Sequence, residues 1–263
     1  MTQQFAITAL RKSIRQGSPL LYQAAVLLGL GALVCFAAQF LDTRLFNGVN
    51  VWDKPTKFFV SLAVLLATVG WGMSYLNAPA KGIKTASWLL VGAAWFEVVY
   101  IVYRAANGEA SHFNTSSTFA GIMYGLMGVG SLMLTGTSGF IGWRIWQQRG
   151  TQLMPEAAGI GLMLGAILGT ASALYLSASE TGHWINGDVT DATGLPFFHW
   201  STTGGDWRVG HFIGLHAAQL VPLAALAKKR WLVFVVAALV CVLTVLAMAQ
   251  AAMGVPLLRT SYP

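Results

Sequence analysis

The sequence predicts an all-α fold: a polytopic transmembrane bundle of seven helices, with the N-terminus cytoplasmic and the C-terminus outside. Three observations carry that expectation. Of 263 residues, 56% are apolar and only 10% charged, with a mean hydropathy of +0.62; soluble domains carry about 25% charged residues. Seven apolar runs, at 20–40, 56–76, 85–104, 118–143, 155–178, 209–227 and 231–253, reach the length of about 20 residues that a ~30 Å hydrocarbon core requires. The basic residues also keep to alternate connections, as orientation by Lys and Arg demands. Arg11, Lys12 and Arg15 precede span one, Lys81 and Lys84 follow span two, Arg144 and Arg149 follow span four, and Lys228, Lys229 and Arg230 follow span six. The other connections are mixed or acidic, with Asp42, Asp53, Glu109, Glu180, Asp188 and Asp191.

Two regions follow from this pattern. Residues 1–18 form a cytoplasmic interfacial segment, in which Phe5, Ile7, Leu10 and Ile14 oppose Arg11, Lys12 and Arg15. Residues 19–263 form a single seven-helix domain. Span one reads as an uncleaved anchor, because its apolar run exceeds that of a secretory signal. The net charge of +7 lies beside spans, so it sets orientation and implies no nucleic-acid partner. Cys35 and Cys241 fall inside spans and read as small apolar packers. In span five, Gly161, Gly165 and Gly169 recur every fourth residue, a spacing that lets helices approach closely. Gly121 and Gly125 of span four are the candidate matching surface within the bundle, and an oligomer through the same stripe is the alternative. Residues 179–207 are rich in Trp, Phe and Gly; such a loop is expected to be an ordered extracytoplasmic cap at the interface.

The polar residues gather at the outer end. Glu97 lies inside span three, in Trp95-Phe96-Glu97-Val98-Val99-Tyr100. A carboxylate at that depth costs about 2.5–3.5 kcal/mol, so it requires a partner or a wet cavity. Tyr100 and Arg104 follow on the same helical face. Span six contributes Asp206, Arg208, His211, His216 and Gln219, with His216 roughly 13 Å below the surface and level with Glu97. His211 and His216 are five apart and diverge around a regular helix, so they cannot chelate one ion as a pair four apart does. The turn at Ser111-His112-Phe113-Asn114 precedes the N-cap candidates Ser116 and Ser117 and could lower His112 onto span six. His183 and His199 are candidates for the lid. Lys54 and Lys57 are expected to snorkel.

The preferred chemistry is a metal site, with His112 and one or both of His211 and His216 as ligands to Zn²⁺ or iron, Glu97 or Asp206 as general base or further ligand, and Tyr100, Arg104, Asn114, Arg208 and Gln219 as binding residues. Its substrate would be a lipid or another apolar small molecule from the bilayer. Arg104 and Arg208 would make the approach positive and favour an anionic head group. The alternatives are a haem protein with two axial histidines, a proton-coupled transporter, or a structural subunit. A retinal Schiff base has no lysine in span seven, and no phosphate-binding Gly-rich loop or His-Glu-x-x-His is present.

Ser111-His112-Phe113-Asn114, together with Gly205-Asp206-Trp207-Arg208-Val209-Gly210-His211-Phe212-Ile213-Gly214-Leu215-His216-Ala217-Ala218-Gln219, resembles a family of uncharacterised bacterial multi-span proteins across spans two to six. The resemblance implies a multi-pass protein of the bacterial inner membrane. It transfers no catalytic role.

Overall fold

The computed structural model describes residues 2–77, 81–179 and 182–259, with side chains from residue 7 onward in the first helix. Glu180 lies outside the described residues, as does the side chain of Phe5. The chain is all-α apart from two very short hairpins, in the order α1 (Thr2–Gly17), α2 (Pro19–Leu41), β1 (Leu45–Phe46), β2 (Val49–Asn50), α3 (Asp53–Met73), α4 (Ile83–Ala106), α5 (Thr118–Gln148), α6 (Leu153–Ala178), β3 (Trp184–Ile185), β4 (Gly205–Asp206), α7 (Trp207–Leu215), α8 (Ala217–Ala224) and α9 (Arg230–Ala252). Helices α2, α3, α4, α5, α6 and α9 are each long and apolar enough to cross a membrane. The chain is therefore a multi-pass membrane protein. The sixth expected span is broken at His216 into α7 and α8, bent by 44°, so the described residues hold six spans, or seven if the bent pair is one.

Local chemistry sets the boundaries. Ser18 caps α2 by accepting from the Leu21 amide at 3.2 Å, and Pro19 fills the first helical position. Ser117, rather than Ser116, caps α5 through the Ala120 amide. Helix α5 runs five residues past its expected end, carrying Trp143, Arg144 and Trp146 out to Gln148; rings and long basic side chains suit the membrane–water boundary. The first hairpin turns on Asn47-Gly48, both at positive φ (54° and 84°), as a two-residue turn of that handedness requires.

Without a hydrophobic drive between helices in lipid, packing rests on close approach. Leu21, Leu28, Leu66, Leu90, Val98, Ile141, Ile145 and Leu162 are fully buried between α2, α3, α4, α5 and α6. Helices α5 and α6 meet at Gly142 and Gly159, where an added Cβ on either would lie 2.8 Å or less from an atom of the other helix. Gly121 and Gly125 face open space and do not supply the expected matching surface. Gly161 and Gly165 instead press on the Ala217 and Leu215 carbonyls at the break between α7 and α8, and Gly169 on the Leu215 side chain. That stripe is filled from within the chain.

Candidate polar site at the capped end

The segment after α6 folds back over the ends of the helices. Strand β3 pairs antiparallel with β4, and Asp206 then caps α7 by accepting from the Arg208 amide at 2.9 Å. The Asp191 amide donates to Asn47 O, tying the segment to the first hairpin. Arg208 is the hub. Its guanidinium reaches Asp206 at 2.7 Å and Asp191 at 2.9 Å, and donates to the His199 carbonyl. His199 lies 3.4 Å from Asp53 of α3, and His183 lies 3.6 Å from Asp191. Burial alone would raise the Asp191 pKa, but the neighbouring His183 imidazole and the Arg208 charge outweigh it and hold the group at about 2. Burial pushes the His183 pKa below its ordinary 6.5, so this imidazole is neutral near neutral pH. Both Asp206 oxygens are engaged, by Arg208 and the Ser201 amide; the residue organises the cap and presents no free base.

Beneath the cap, α3, α4, α5 and the 107–117 turn enclose a second cluster. Lys54 does not snorkel. Its ammonium donates to His112 Nδ1 at 3.1 Å, and Ser111 Oγ lies 3.1 Å from the same nitrogen. Since lysine can only donate, Nδ1 accepts and the ring proton sits on Nε2. Burial, and then the Lys54 charge, hold the His112 pKa well below 6.5. The same lysine is the charge that reaches Glu97. Glu97 is 3% exposed, and its Oε1 is buried without a hydrogen-bond partner. That oxygen lies against Gly130 of α5, where an added Cβ would come within 2.5 Å of it; the glycine makes the room. The hydroxyls of Tyr100 and Tyr124 are likewise buried and unpartnered. Tyr124 packs on the His112 ring, and Tyr100 packs with Phe58, Phe96 and Met127.

The other predicted residues lie elsewhere or serve the scaffold. Arg104 pairs with Glu109 at 2.6 Å and donates to Ala110 O. Asn114 donates to the same carbonyl and accepts from Ser116, which fixes the turn. With Arg104 and Arg208 both committed to carboxylates, the approach lacks the free positive charge that an anionic head group needs. His211 contacts Ser172 of α6 at 2.9 Å. His216 sits at the helix break, where its Nδ1 donates to Gln219, whose amide donates to Thr68 of α3. Thr68 is about 20 Å further along α3 than Lys54. Lys54 thus links His112 and Glu97, with Tyr100 one turn further along the same helix, while His211 and His216 contact other partners. Each histidine has a different partner, and among the described residues no three His, Cys, Asp or Glu side chains could hold a metal ion. Neither a shared metal centre nor a bis-histidine haem site finds support in that arrangement.

Sequence reasoning read Lys54 as a snorkelling side chain and passed over Tyr124 and Gly130. The only sequence signal for them was a lysine at a span mouth and a glycine inside a long span.

No family model matches the chain, and no curated protein or solved structure matches it. The resemblance drawn from the two motifs therefore rests on those residues alone.

Proposed function

We propose that the chain is a seven-span protein of a bacterial inner membrane, N-terminus inside and C-terminus outside, that receives an apolar or lipidic substrate at an outward-facing polar site. The site is the cluster of Lys54, Glu97, Tyr100, His112 and Tyr124. A single observation carries the reading: the Glu97 Oε1 and the Tyr100 and Tyr124 hydroxyls are each buried without a partner. Each such atom costs about 1–3 kcal/mol, and a purely structural network would satisfy them internally. Groups held in this way are complementary to something that arrives. The Lys54–His112 pair supplies a hydrogen-bonding edge beside them, with a neutral imidazole suited to exchange a proton.

Orientation rests on the basic connections, including the pairing of Arg230 with Glu156 at 2.6 Å at the end opposite the cap. A reporter fused to the C-terminus is expected to be active only outside the cytoplasm; activity confined to the cytoplasm overturns the orientation. For the site, Glu97→Met keeps the volume and removes the unpartnered carboxyl. Its melting temperature in detergent should rise by a few degrees, corresponding to about 1 kcal/mol. Apolar molecules that co-purify with the wild type should be lost. A marked fall in melting temperature with co-purified lipid unchanged makes Glu97 a structural residue and sinks the proposal.

A further inference from the structure

At the end opposite the cap, cations outnumber carboxylates. Glu156, in the first turn of α6, is 5% exposed, and its Oε1 lies 2.6 Å from the Arg230 guanidinium of α9 and 3.6 Å from Arg149 Nε after α5. Arg149 is held there by stacking 3.8 Å over the Trp146 ring and by donating to the Trp146 carbonyl. Arg230 is the outward member, with 61% of its side chain exposed. Lys228 and Lys229, in the turn before α9, are exposed and pair with no carboxylate among the described residues. One carboxylate thus faces four cations, an excess of three positive charges, and no other Asp or Glu of the sequence falls in the connections at this end. Lys228 has a φ of 56°, a left-handed conformation that glycine adopts more readily, so a charge stands where the backbone favours a residue without one. Just beyond these charges, α8, the single turn after it and α9 expose Leu223, Leu226, Trp231 and Phe234, each by half or more.

We infer that this corner binds an anionic phospholipid, with Lys228, Lys229 and Arg230 around the headgroup phosphate and the acyl chains along the exposed apolar residues. Two observations choose the occupant. The first is charge complementarity: three uncompensated positive charges call for an anion, and a guanidinium presents a planar fork of donors that matches phosphate. Glu156 orients Arg230 and Arg149 without neutralising both. The second is what lies next to the charges. Helix α9 is long and apolar enough to cross a membrane, and Trp231 near its start is a ring suited to the membrane–water boundary. The anion within reach is therefore one whose own hydrocarbon covers Leu223, Leu226 and Phe234. Basic pockets between spanning helices hold anionic headgroups in this way. The inference is independent of the buried Glu97 cluster.

The test uses the full chain in micelles containing equal amounts of phosphatidylglycerol and phosphatidylcholine, with retained lipids counted by native mass spectrometry. Phosphatidylglycerol is expected to be retained in preference to phosphatidylcholine. Lys228→Gly/Lys229→Gln should cut that preference by about tenfold. The same variant should melt no lower than the wild type in phosphatidylcholine alone, because glycine relieves the left-handed backbone. Arg230→Lys keeps the charge but loses the fork, and should weaken retention several-fold. Arg11→Gln/Lys12→Gln removes as many cations from α1, at the same end, and should leave the preference intact. An equal loss from the α1 variant means diffuse attraction to a basic surface and overturns the inference. So does a preference that survives both Lys228→Gly/Lys229→Gln and Arg230→Lys. Glycerol 3-phosphate retained as well as the lipid would make the occupant a soluble anion and overturn it too.

Discussion

Arg208→Met should lower the melting temperature by roughly 10 °C and open residues 183–207 to proteases. The guanidinium faces two carboxylates, of which Asp206 is 3% exposed. Removing the cation leaves buried negative charge uncompensated, at a cost of about 3 kcal/mol, and each kcal/mol shifts a protein of this size by about 2–4 °C. Acid should reveal the same hub in the wild type. The Asp191 pKa is held at about 2, so its contribution is fully present above its unfolded value near 3.9 and is lost as pH falls through 2. The His183 pKa is also lowered; the unfolded chain takes up that proton first, so stability declines as pH falls below about 6.5. Melting curves from pH 8 to pH 2 should therefore descend gradually, and in Arg208→Met they should start lower throughout. A variant with wild-type melting and an intact cap would remove Arg208 from its role as hub.

Gly205→Ala should be at least as damaging. A Cβ there would run into the backbone of Ala251, at its carbonyl oxygen, carbonyl carbon and Cα, closer than real side chains approach. Backbone cannot swing aside as a side-chain end does, so β4 or the last turn of α9 must shift. We expect a loss of about 3 kcal/mol, read as poor recovery of folded protein and a lower melting temperature. Gly125→Ala is the control. Nothing lies within 4 Å of its added methyl, and a helical Gly-to-Ala change gains up to about 1 kcal/mol. Equal behaviour of the two variants would mean that β4 does not seat on α9 as described.

Spans were legible because hydropathy is a local property: six of the seven expected runs are single helices, with ends displaced by a few residues. Asp206 as an N-cap can be read in the same way, from one residue and its neighbours. The break at His216 could not be, since no proline or glycine sits at that position and Pro222 lies further on, inside α8. The hairpin at Asn47-Gly48 was not anticipated, because its two-residue strands are too short for alternation to appear. The site divided along the same line. Glu97, Tyr100 and His112 were visible as polar residues where lipid or a tight turn was expected. Lys54 was not, because what turns it inward is a histidine 58 residues away. The level match expected between Glu97 and His216 came from counting residues from helix ends, which assumes parallel, unbroken helices, whereas α7 ends at His216.

The broken span has a mechanical consequence. Helix α7 is tied to the cap through Asp206 and Arg208, and both α7 and α8 pack against α6 and α9. Helical hydrogen bonds meet at His216, whose amide donates to Phe212 O and whose carbonyl accepts from the Leu220 amide, but the axis bends there by 44°, so a tug on the cap reaches α8 through a bend and not a straight rod. What steadies that bend is α6, whose Gly161 and Gly165 bear on the carbonyls at either side of it. The glycines let α6 seat closely on both sides of the bend, so a side chain at either position would press on the backbone there.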